Sequence, residues 1–208
     1  MVVILINILL VDDHTLFAKS LAIAFEEYEE IENFYTTQSI SSLEEIITGK
    51  NIDIVLMDIN LGKLTDCNGL DIAADLIKNM PALKIIILTG YDLPVYKYEA
   101  KKMNVRGFLN KNISPDKLFD ALMKVQQGYT CFPSDHNVPM IEELTVTERK
   151  ILSFISCGKK RKEIAKELYI SERTLSNHLQ HIYEKLAVTS SVEAVTKAIQ
   201  MGYISPLF

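Results

Sequence analysis

Three acidic side chains follow apolar segments of this 208-residue chain, at the places where buried strands are predicted to end. Asp12 and Asp13 come after the apolar run Ile4–Val11, and Asp58 comes after Ile52–Met57. Carboxylates that share one site repel one another and raise each other's pKa unless a cation lies between them. Because oxygen ligands with room for water suit Mg²⁺, these residues predict a magnesium site.

A hydroxyl and an ammonium follow two further predicted strands. Thr89 comes after Lys84–Leu88, and Lys111 comes shortly after Gly107–Leu109. A lysine and a hydroxyl beside a metal suit a phosphoryl group, since positioning and charge neutralisation carry most of phosphoryl transfer. Asp58 would then be the nucleophile and would form an acyl phosphate. Taken singly, each residue also has a structural explanation, such as capping a helix.

The elements that must bring these residues together alternate along the first 127 residues. Strands are predicted over residues 4–11, 31–35, 52–57, 84–88 and 107–109. Segments with helical spacing of apolar residues separate them, which predicts right-handed crossovers and a doubly wound parallel sheet. Ligands of such sheets bind outside the carboxyl ends of the strands, which is where the polar residues fall.

A different pattern follows Thr145. Thr145 with Glu148 has the spacing of a capping box, as has Ser190 with Glu193. Helices are predicted over residues 146–157, 161–168, 172–186 and 192–201. A short helix, a tight turn and a longer helix form a helix-turn-helix, whose second helix enters the major groove of DNA.

The polar face of the third of these helices carries side chains that can recognise DNA. Asn177 and Gln180 can bond adenine edges, and Arg173 can read guanine or hold a phosphate. A basic run before the helix-turn-helix can hold the flanking backbone; it consists of Lys159, Lys160, Arg161 and Lys162. The alternative for both features is an ordinary solvated surface.

Charge and composition divide the chain and exclude several classes of protein. The net charge is −5, but residues 1–127 carry −6 and residues 143–208 carry +3, an asymmetry that favours nucleic-acid binding by the second part. Turn-forming residues after Gly128 predict domains over 1–128 and 143–208 with a linker over 129–142. No apolar run approaches the roughly 20 residues of a membrane span. The three cysteines form no CxxC motif, so we expect a cytoplasmic protein without a disulfide framework or zinc site.

Four motifs in the first part resemble the signatures of response-regulator receiver domains. They are LLVDDH at 9–14, LMDINL at 56–61, LTG at 88–90 and GFLNK at 107–111. The resemblance implies a flavodoxin-like (βα)₅ fold with strand order 2-1-3-4-5 and phosphorylation of Asp58 by a sensor histidine kinase. The Mg²⁺ ligands that it implies are Asp12, Asp13, Asp58 and the backbone carbonyl of Asn60. It further implies that Thr89 and Phe108 are paired switch residues and that Lys111 contacts the phosphoryl oxygens.

Motifs in the second part resemble the LuxR-type DNA-binding domain, and the two parts together resemble the NarL/FixJ class of response regulators. The motifs are LTxxE at 144–148, EIA at 163–165, SxxTLSNHL at 171–179 and KLxV at 185–188. By this resemblance Ser176, Asn177 and Gln180 make base contacts, although a lysine is common where Ser176 stands. The sequences at 60–62 and 89–91 also resemble regulators of competence and quorum responses in Gram-positive bacteria. Residues 63–67 form an insertion beside Asp58.

The sequence therefore predicts a transcription factor rather than an enzyme. The expected partners are a histidine kinase, double-stranded DNA with an inverted repeat, and a second copy of the chain on activation; RNA polymerase is a further candidate. Two alternatives stay open. One is a regulator that dimerises without phosphorylation. The other is an aspartate-nucleophile phosphatase, which would need a second acid where Asn60 stands.

Overall fold

The computed structural model describes residues 5–62, 68–90, 93–133 and 143–204. The chain forms two compact units, and the main division between them follows residue 134. The predicted insertion at 63–67 and the larger part of the predicted linker, 134–142, lie outside the described residues. No helix within the described ranges is both long and apolar enough to cross a membrane.

The first unit contains a five-stranded parallel sheet in the order β2-β1-β3-β4-β5. Its strands are β1 Ile6–Val11, β2 Ile31–Thr37, β3 Ile54–Met57, β4 Lys84–Thr89 and β5 Gly107–Asn110. The predicted fold class and strand order are confirmed. The continuous apolar runs form the central strands because both faces of a parallel sheet are covered by helices.

Helices cover both faces of the sheet. They are α1 Thr15–Phe25, α2 Leu43–Gly49, α3 Gly69–Asn79, α4 Pro94–Lys102 and α5 Pro115–Gln126. Successive strand residues point to opposite faces, so Val55 and Met57 join the core under α2 and α3, whereas Ile54 and Leu56 join the core under α1 and α5. Each face of the sheet therefore packs into its own hydrophobic core, and the two cores together hold the strand ends in place.

The strands end together at the carboxyl edge of the sheet. Val11 pairs with Met57, and Thr89 pairs with Asn110, so the residues that follow β1, β3 and β5 emerge at one edge. Gly69 opens α3 against this edge, where a Cβ atom would lie 1.8 Å from the backbone oxygen of Asp58. Only glycine fits that approach, and it brings the start of α3 directly against the end of β3.

The first unit continues past Gly128. Cys131 accepts a backbone hydrogen bond from Phe108 at 2.9 Å and donates one to Arg106 at 2.8 Å. The chain thus remains attached to β5 two residues beyond the start of the predicted linker at residue 129. This attachment was not visible in the sequence because Cys131 lies among turn-forming residues.

The second unit consists of four helices: α6 Val146–Ser156, α7 Arg161–Glu167, α8 Glu172–Leu186 and α9 Ser191–Met201. Its core is formed by apolar residues from all four helices; they include Ile151, Leu152, Ile164, Leu175, Leu179, Ile182, Ala194 and Ala198. The predicted capping box of α6 is present, since Glu148 N donates to Thr145 Oγ1 and Thr145 N donates to Glu148 Oε2. The short helix α7, the turn after it and the longer helix α8 form the predicted helix-turn-helix.

One predicted capping box is formed only in part. Ser190 Oγ accepts the amide of Glu193 at 3.2 Å, as expected, but the Glu193 carboxylate accepts the amide of Thr189 at 2.9 Å. The Glu193 carboxylate thus accepts the amide of Thr189, whereas in a complete capping box it would accept the amide of Ser190. The N-terminus of α9 is capped all the same.

Candidate functional site

The predicted carboxylates converge at the carboxyl edge of the sheet. We call Asp12, Asp13 and Asp58 the acidic cluster. One ligand atom of each, together with one of His14, lies within 4.8 Å of the others. Asp12 and Asp58 are only 3% and 1% exposed. The fold therefore holds three carboxyl groups at one place and removes two of them almost fully from water.

Lys111 lies between two of these carboxylates. Its Nζ is 2.8 Å from Asp12 Oδ2 and 2.7 Å from Asp58 Oδ2, and it lies 5.1 Å from the ring centre of Phe17. The Lys111 amide donates to the carbonyl of Thr89 at 2.9 Å, which fixes the chain after β5 against β4. One ammonium faces three carboxylates, so the ionised cluster keeps an excess of negative charge that a divalent cation would neutralise.

The oxygen atoms of the acidic cluster fit a metal ion. Asp58 Oδ1 is buried and accepts no hydrogen bond from the described residues, and the same is true of Asp12 Oδ2 and Asp13 Oδ1. Asp12 Oδ2 lies 2.8 Å from Lys111 Nζ, and Asp13 Oδ1 lies 2.7 Å from His14 Nδ1. Buried polar atoms are normally satisfied, so Asp58 Oδ1, the oxygen of the three without such a contact among the described residues, points to a missing positive ligand. The acidic pocket can therefore hold a divalent cation.

Burial controls the pKa of Asp58. Burial raises its pKa above the ordinary 3.8, the hydrogen bond and charge of Lys111 act against that rise, and the charge of Asp12 adds to it. The net result is a raised pKa. The carboxylate is thus less stable in its ionised form than an exposed aspartate, which is a condition that a bound cation would relieve.

A cavity gives access to Asp58. It has a volume of about 460 Å³ and is lined by His14, Leu16, Phe17, Asp58, Asn60, Gly90 and Lys111. Asn60 is exposed, and its Oδ1 accepts the amide of Gly62 at 3.4 Å. Leu16 is 80% exposed at the rim. The cavity combines a carboxylate, a lysine and open space, as a site for an incoming anionic group requires.

The two predicted switch residues are buried and are not among the described residues that line the cavity. Thr89 ends β4 and Phe108 lies on the neighbouring strand β5, and both are fully buried. The Phe108 ring belongs to the core under α2 and α3. In this structure the ring already fills its place in the core, so a switch through it would repack a filled core.

The predicted DNA-reading side chains lie on one exposed face of α8. Arg173, Ser176, Asn177 and Gln180 are all exposed. Ser176 Oγ donates to the Glu172 carbonyl at 2.9 Å, and Gln180 Nε2 donates to Glu184 Oε1 at 3.1 Å. These two contacts stay within α8, so the side chains of Ser176 and Gln180 bond their own helix and remain on its exposed polar face.

The basic run divides into two parts. Lys159 Nζ pairs with both carboxylate oxygens of Glu167 at 2.6 and 2.7 Å and lies 4.3 Å from the centre of the Phe154 ring. Lys160, Arg161 and Lys162 are exposed. The charge of Lys159 is therefore largely neutralised within the unit, and the other three residues carry the available positive charge.

The structure draws attention to two residues for which no role was predicted from the sequence. His14 Nδ1 lies 2.7 Å from Asp13 Oδ1 and 3.1 Å from Asp12 Oδ1; its position directly after two acids was the available signal. Tyr169 lies in the turn before α8, is 97% exposed and has a left-handed backbone with φ 54°. Its place between the apolar Leu168 and Ile170 gave no sign of that exposure.

Comparison with known families matches both units. Residues 8–123 match the response regulator receiver domain, and residues 142–198 match the LuxR family of bacterial regulatory proteins. Transcriptional regulatory protein MctR of Rhizobium johnstonii is 31% identical over 96% of this chain and 96% of its own. Transcriptional regulatory protein DegU of Brevibacillus brevis is 28% identical over 96% of this chain and 95% of its own.

Solved structures show the same fold. RcsB of Salmonella enterica serovar Typhimurium, solved bound to a promoter with the phosphomimetic BeF₃⁻, superposes with a TM-score of 0.68 at 20% identity. The alignment covers 95% of this chain and 98% of that one. The response regulator ChrA of a heme-sensing two-component system has a TM-score of 0.54 at 27% identity, over 97% of this chain and all of that one.

Asp58→Asn should stabilise the metal-free protein near neutral pH. Since the folded pKa of Asp58 lies above 3.8, ionisation favours the unfolded state, and this penalty grows as pH rises from 3.8 through the folded pKa and persists above it. We expect a gain on the order of 1 kcal/mol and a rise in Tm of about 2–4 °C, measured by thermal unfolding with a chelator present.

The gain should shrink as the pH falls through the folded pKa and should vanish below 3.8, where the wild-type carboxyl becomes protonated in both states. Asp75→Asn, on the exposed side of α3, is the matched control and should change stability by less than about 0.5 kcal/mol. Destabilisation by Asp58→Asn at neutral pH would show that Lys111 more than compensates for the burial of this carboxylate.

Proposed function

Because the chain belongs to the response regulators that join a receiver domain to a LuxR-type DNA-binding domain, we propose that phosphorylation of Asp58 controls its binding to DNA. The resemblances of both parts of the sequence are thereby confirmed, and the protein is a regulator of transcription. The observation that carries the proposal is the buried carboxylate of Asp58, held 2.7 Å from Lys111 at the bottom of an open cavity.

The proposed reaction transfers a phosphoryl group from a histidine of a sensor kinase to Asp58. A carboxylate oxygen of Asp58 attacks phosphorus, the P–N bond to the donor imidazole breaks, and the imidazole leaves with the electron pair. Lys111 then turns from the carboxylate to the phosphoryl oxygens, where its charge offsets the new negative charge. In this proposal Asp58 is an acceptor, and the chain is not an enzyme with turnover.

Mg²⁺ is the proposed cofactor of this transfer. Its ligands would be Asp12, Asp13, Asp58 and the backbone carbonyl of Asn60, a set of oxygen atoms of the kind that Mg²⁺ prefers. When bound, the ion neutralises the charge of the carboxylates and of the incoming phosphoryl group. The buried Asp58 Oδ1, which accepts no hydrogen bond from the described residues, supports this assignment.

Thr89 and Phe108 are the proposed link between the phosphoryl group and the rest of the receiver domain. The Thr89 hydroxyl would turn toward the phosphoryl group, and the Phe108 ring would repack in the space that it leaves. Both residues are fully buried on adjacent strands. Such a change works as a two-state switch because a packed core deforms in discrete steps.

The second unit would bind DNA as part of a dimer. Ser176, Asn177 and Gln180 would contact bases together with Arg173, and the flanking backbone would be held mainly by the exposed residues of the basic run, Lys160, Arg161 and Lys162, with Lys159 secondary. A solved structure with two RcsB dimers bound to two parallel DNAs supports this mode for a protein of the same fold. Dimerisation doubles the contacts of a unit whose own net charge is only +3. RNA polymerase is a further proposed partner.

Incubation with Mg²⁺ and a small acyl phosphate should add one phosphoryl group to the wild-type chain. The intact mass, measured without acid or heat that would hydrolyse the product, should rise by that amount. A chelator should prevent the rise, and Asp58→Ala should abolish it, because the variant lacks the nucleophile. An unchanged wild-type mass would favour the regulator that dimerises without phosphorylation, and labelling of Asp58→Ala would place the acceptor elsewhere.

Gln180→Ala should weaken binding to DNA selected from a random pool by about 1–3 kcal/mol, with a much smaller loss on unselected DNA. Lys162→Ala is the matched contrast, since loss of a phosphate contact weakens both equally and lowers the salt dependence. Titrations of both variants at two salt concentrations distinguish these roles. An equal loss on both DNAs for Gln180→Ala would assign that residue to the backbone.

A further inference from the structure

His14 is joined to the acidic cluster on two sides. Its backbone amide donates to Asp12 Oδ1 at 2.8 Å, and its Nδ1 lies 3.1 Å from the same oxygen and 2.7 Å from Asp13 Oδ1. The imidazole also lines the cavity beside Asp58. It is 53% exposed on its side chain, so it stands between the buried carboxylates and solvent.

The His14 nitrogen is placed like a member of a ligand set. Nδ1 and one oxygen from each of Asp12, Asp13 and Asp58 all lie within 4.8 Å of one another. Atoms bound to one ion at about 2.0–2.2 Å lie within about 4.4 Å of one another, so the four side chains would have to close by a few tenths of an ångström around a single cation. The buried Asp58 Oδ1, which accepts no hydrogen bond from the described part of the chain, independently calls for a positive ligand.

We propose that His14 Nδ1 is a ligand in this site and that it makes the site favour transition-metal cations such as Mn²⁺ over Mg²⁺. The inference rests on the proposed function, because it uses the cation site of Asp58. Mn²⁺ takes carboxylate and water ligands as Mg²⁺ does, but as a first-row transition metal it also accepts an imidazole nitrogen, which Mg²⁺ binds poorly.

Pulsed electron paramagnetic resonance of Mn²⁺ bound to the full chain tests the contact directly. The wild type should show the coupling of a directly bound ¹⁴N nucleus, and His14→Ala should lose it. His14→Asn, which keeps a polar side chain but has no imidazole, guards against a folding defect and should also lose it. His181→Ala removes an exposed imidazole on α8 and should leave the signal unchanged.

Affinities separate a ligand from a merely neighbouring charge. His14→Ala should weaken Mn²⁺ binding about tenfold, at the lower end of what losing a supporting group costs a metal site. Mg²⁺ binding, measured by competition with Mn²⁺, should change less than about twofold, because its preferred ligands are oxygen atoms. Equal factors for the two cations, or a ¹⁴N coupling that persists in His14→Ala, would overturn the inference.

The outcomes also separate this inference from the proposed function. If the wild type binds Mg²⁺ and accepts a phosphoryl group but shows no ¹⁴N coupling, only the role of His14 is refuted. If the wild type binds neither cation, both the inference and the magnesium site of the proposed function fail. Asp12→Asn should weaken both cations together, because that residue serves either ion through an oxygen atom.

Discussion

The function of this molecule depends on an imbalance of charge at one edge of a sheet. Asp12, Asp13 and Asp58 are held together with Lys111 as the nearby ammonium, which contacts two of them at 2.8 and 2.7 Å. Burial makes the ionised form of Asp58 costly. A buried site with surplus negative charge attracts a divalent cation, and in the proposed function that cation would allow a phosphoryl group to approach. On this proposal the metal-free protein gives up stability for this capacity, as is common at functional sites.

The fold creates this imbalance through the geometry of a parallel sheet. Strand register places the ends of β1, β3 and β5 at one edge, and Gly69 allows α3 to start directly against the backbone of Asp58. The Lys111 amide bonds the Thr89 carbonyl, so the residue that contacts Asp58 is tied to the strand that carries the proposed switch. In the proposed function, a change at Asp58 would reach β4 and the core around Phe108 through this contact.

Much of the site could be predicted because the end of a buried strand appears in the sequence as an apolar run followed by polar residues. That pattern predicts that Asp12, Asp58 and Lys111 lie at one edge of the sheet. The sequence did not indicate which charged side chains contact one another. Lys159 belongs to a basic run in the sequence, yet it pairs with Glu167, eight residues away. No role was predicted for His14, whose Nδ1 lies 2.7 Å from Asp13 Oδ1. Such contacts depend on helix ends and side-chain rotamers, which residue spacing does not encode.

The coupling between the two domains is tested most directly by one measurement. The affinity of the full chain for DNA selected from a random pool is determined before and after phosphorylation with Mg²⁺ and an acyl phosphate, with Asp58→Ala treated identically. If phosphorylation assembles a dimer on two half-sites, the wild-type affinity should rise by about 10²-fold or more, and that of Asp58→Ala should not change. Equal affinities for the phosphorylated and unphosphorylated wild type would contradict control of DNA binding by Asp58.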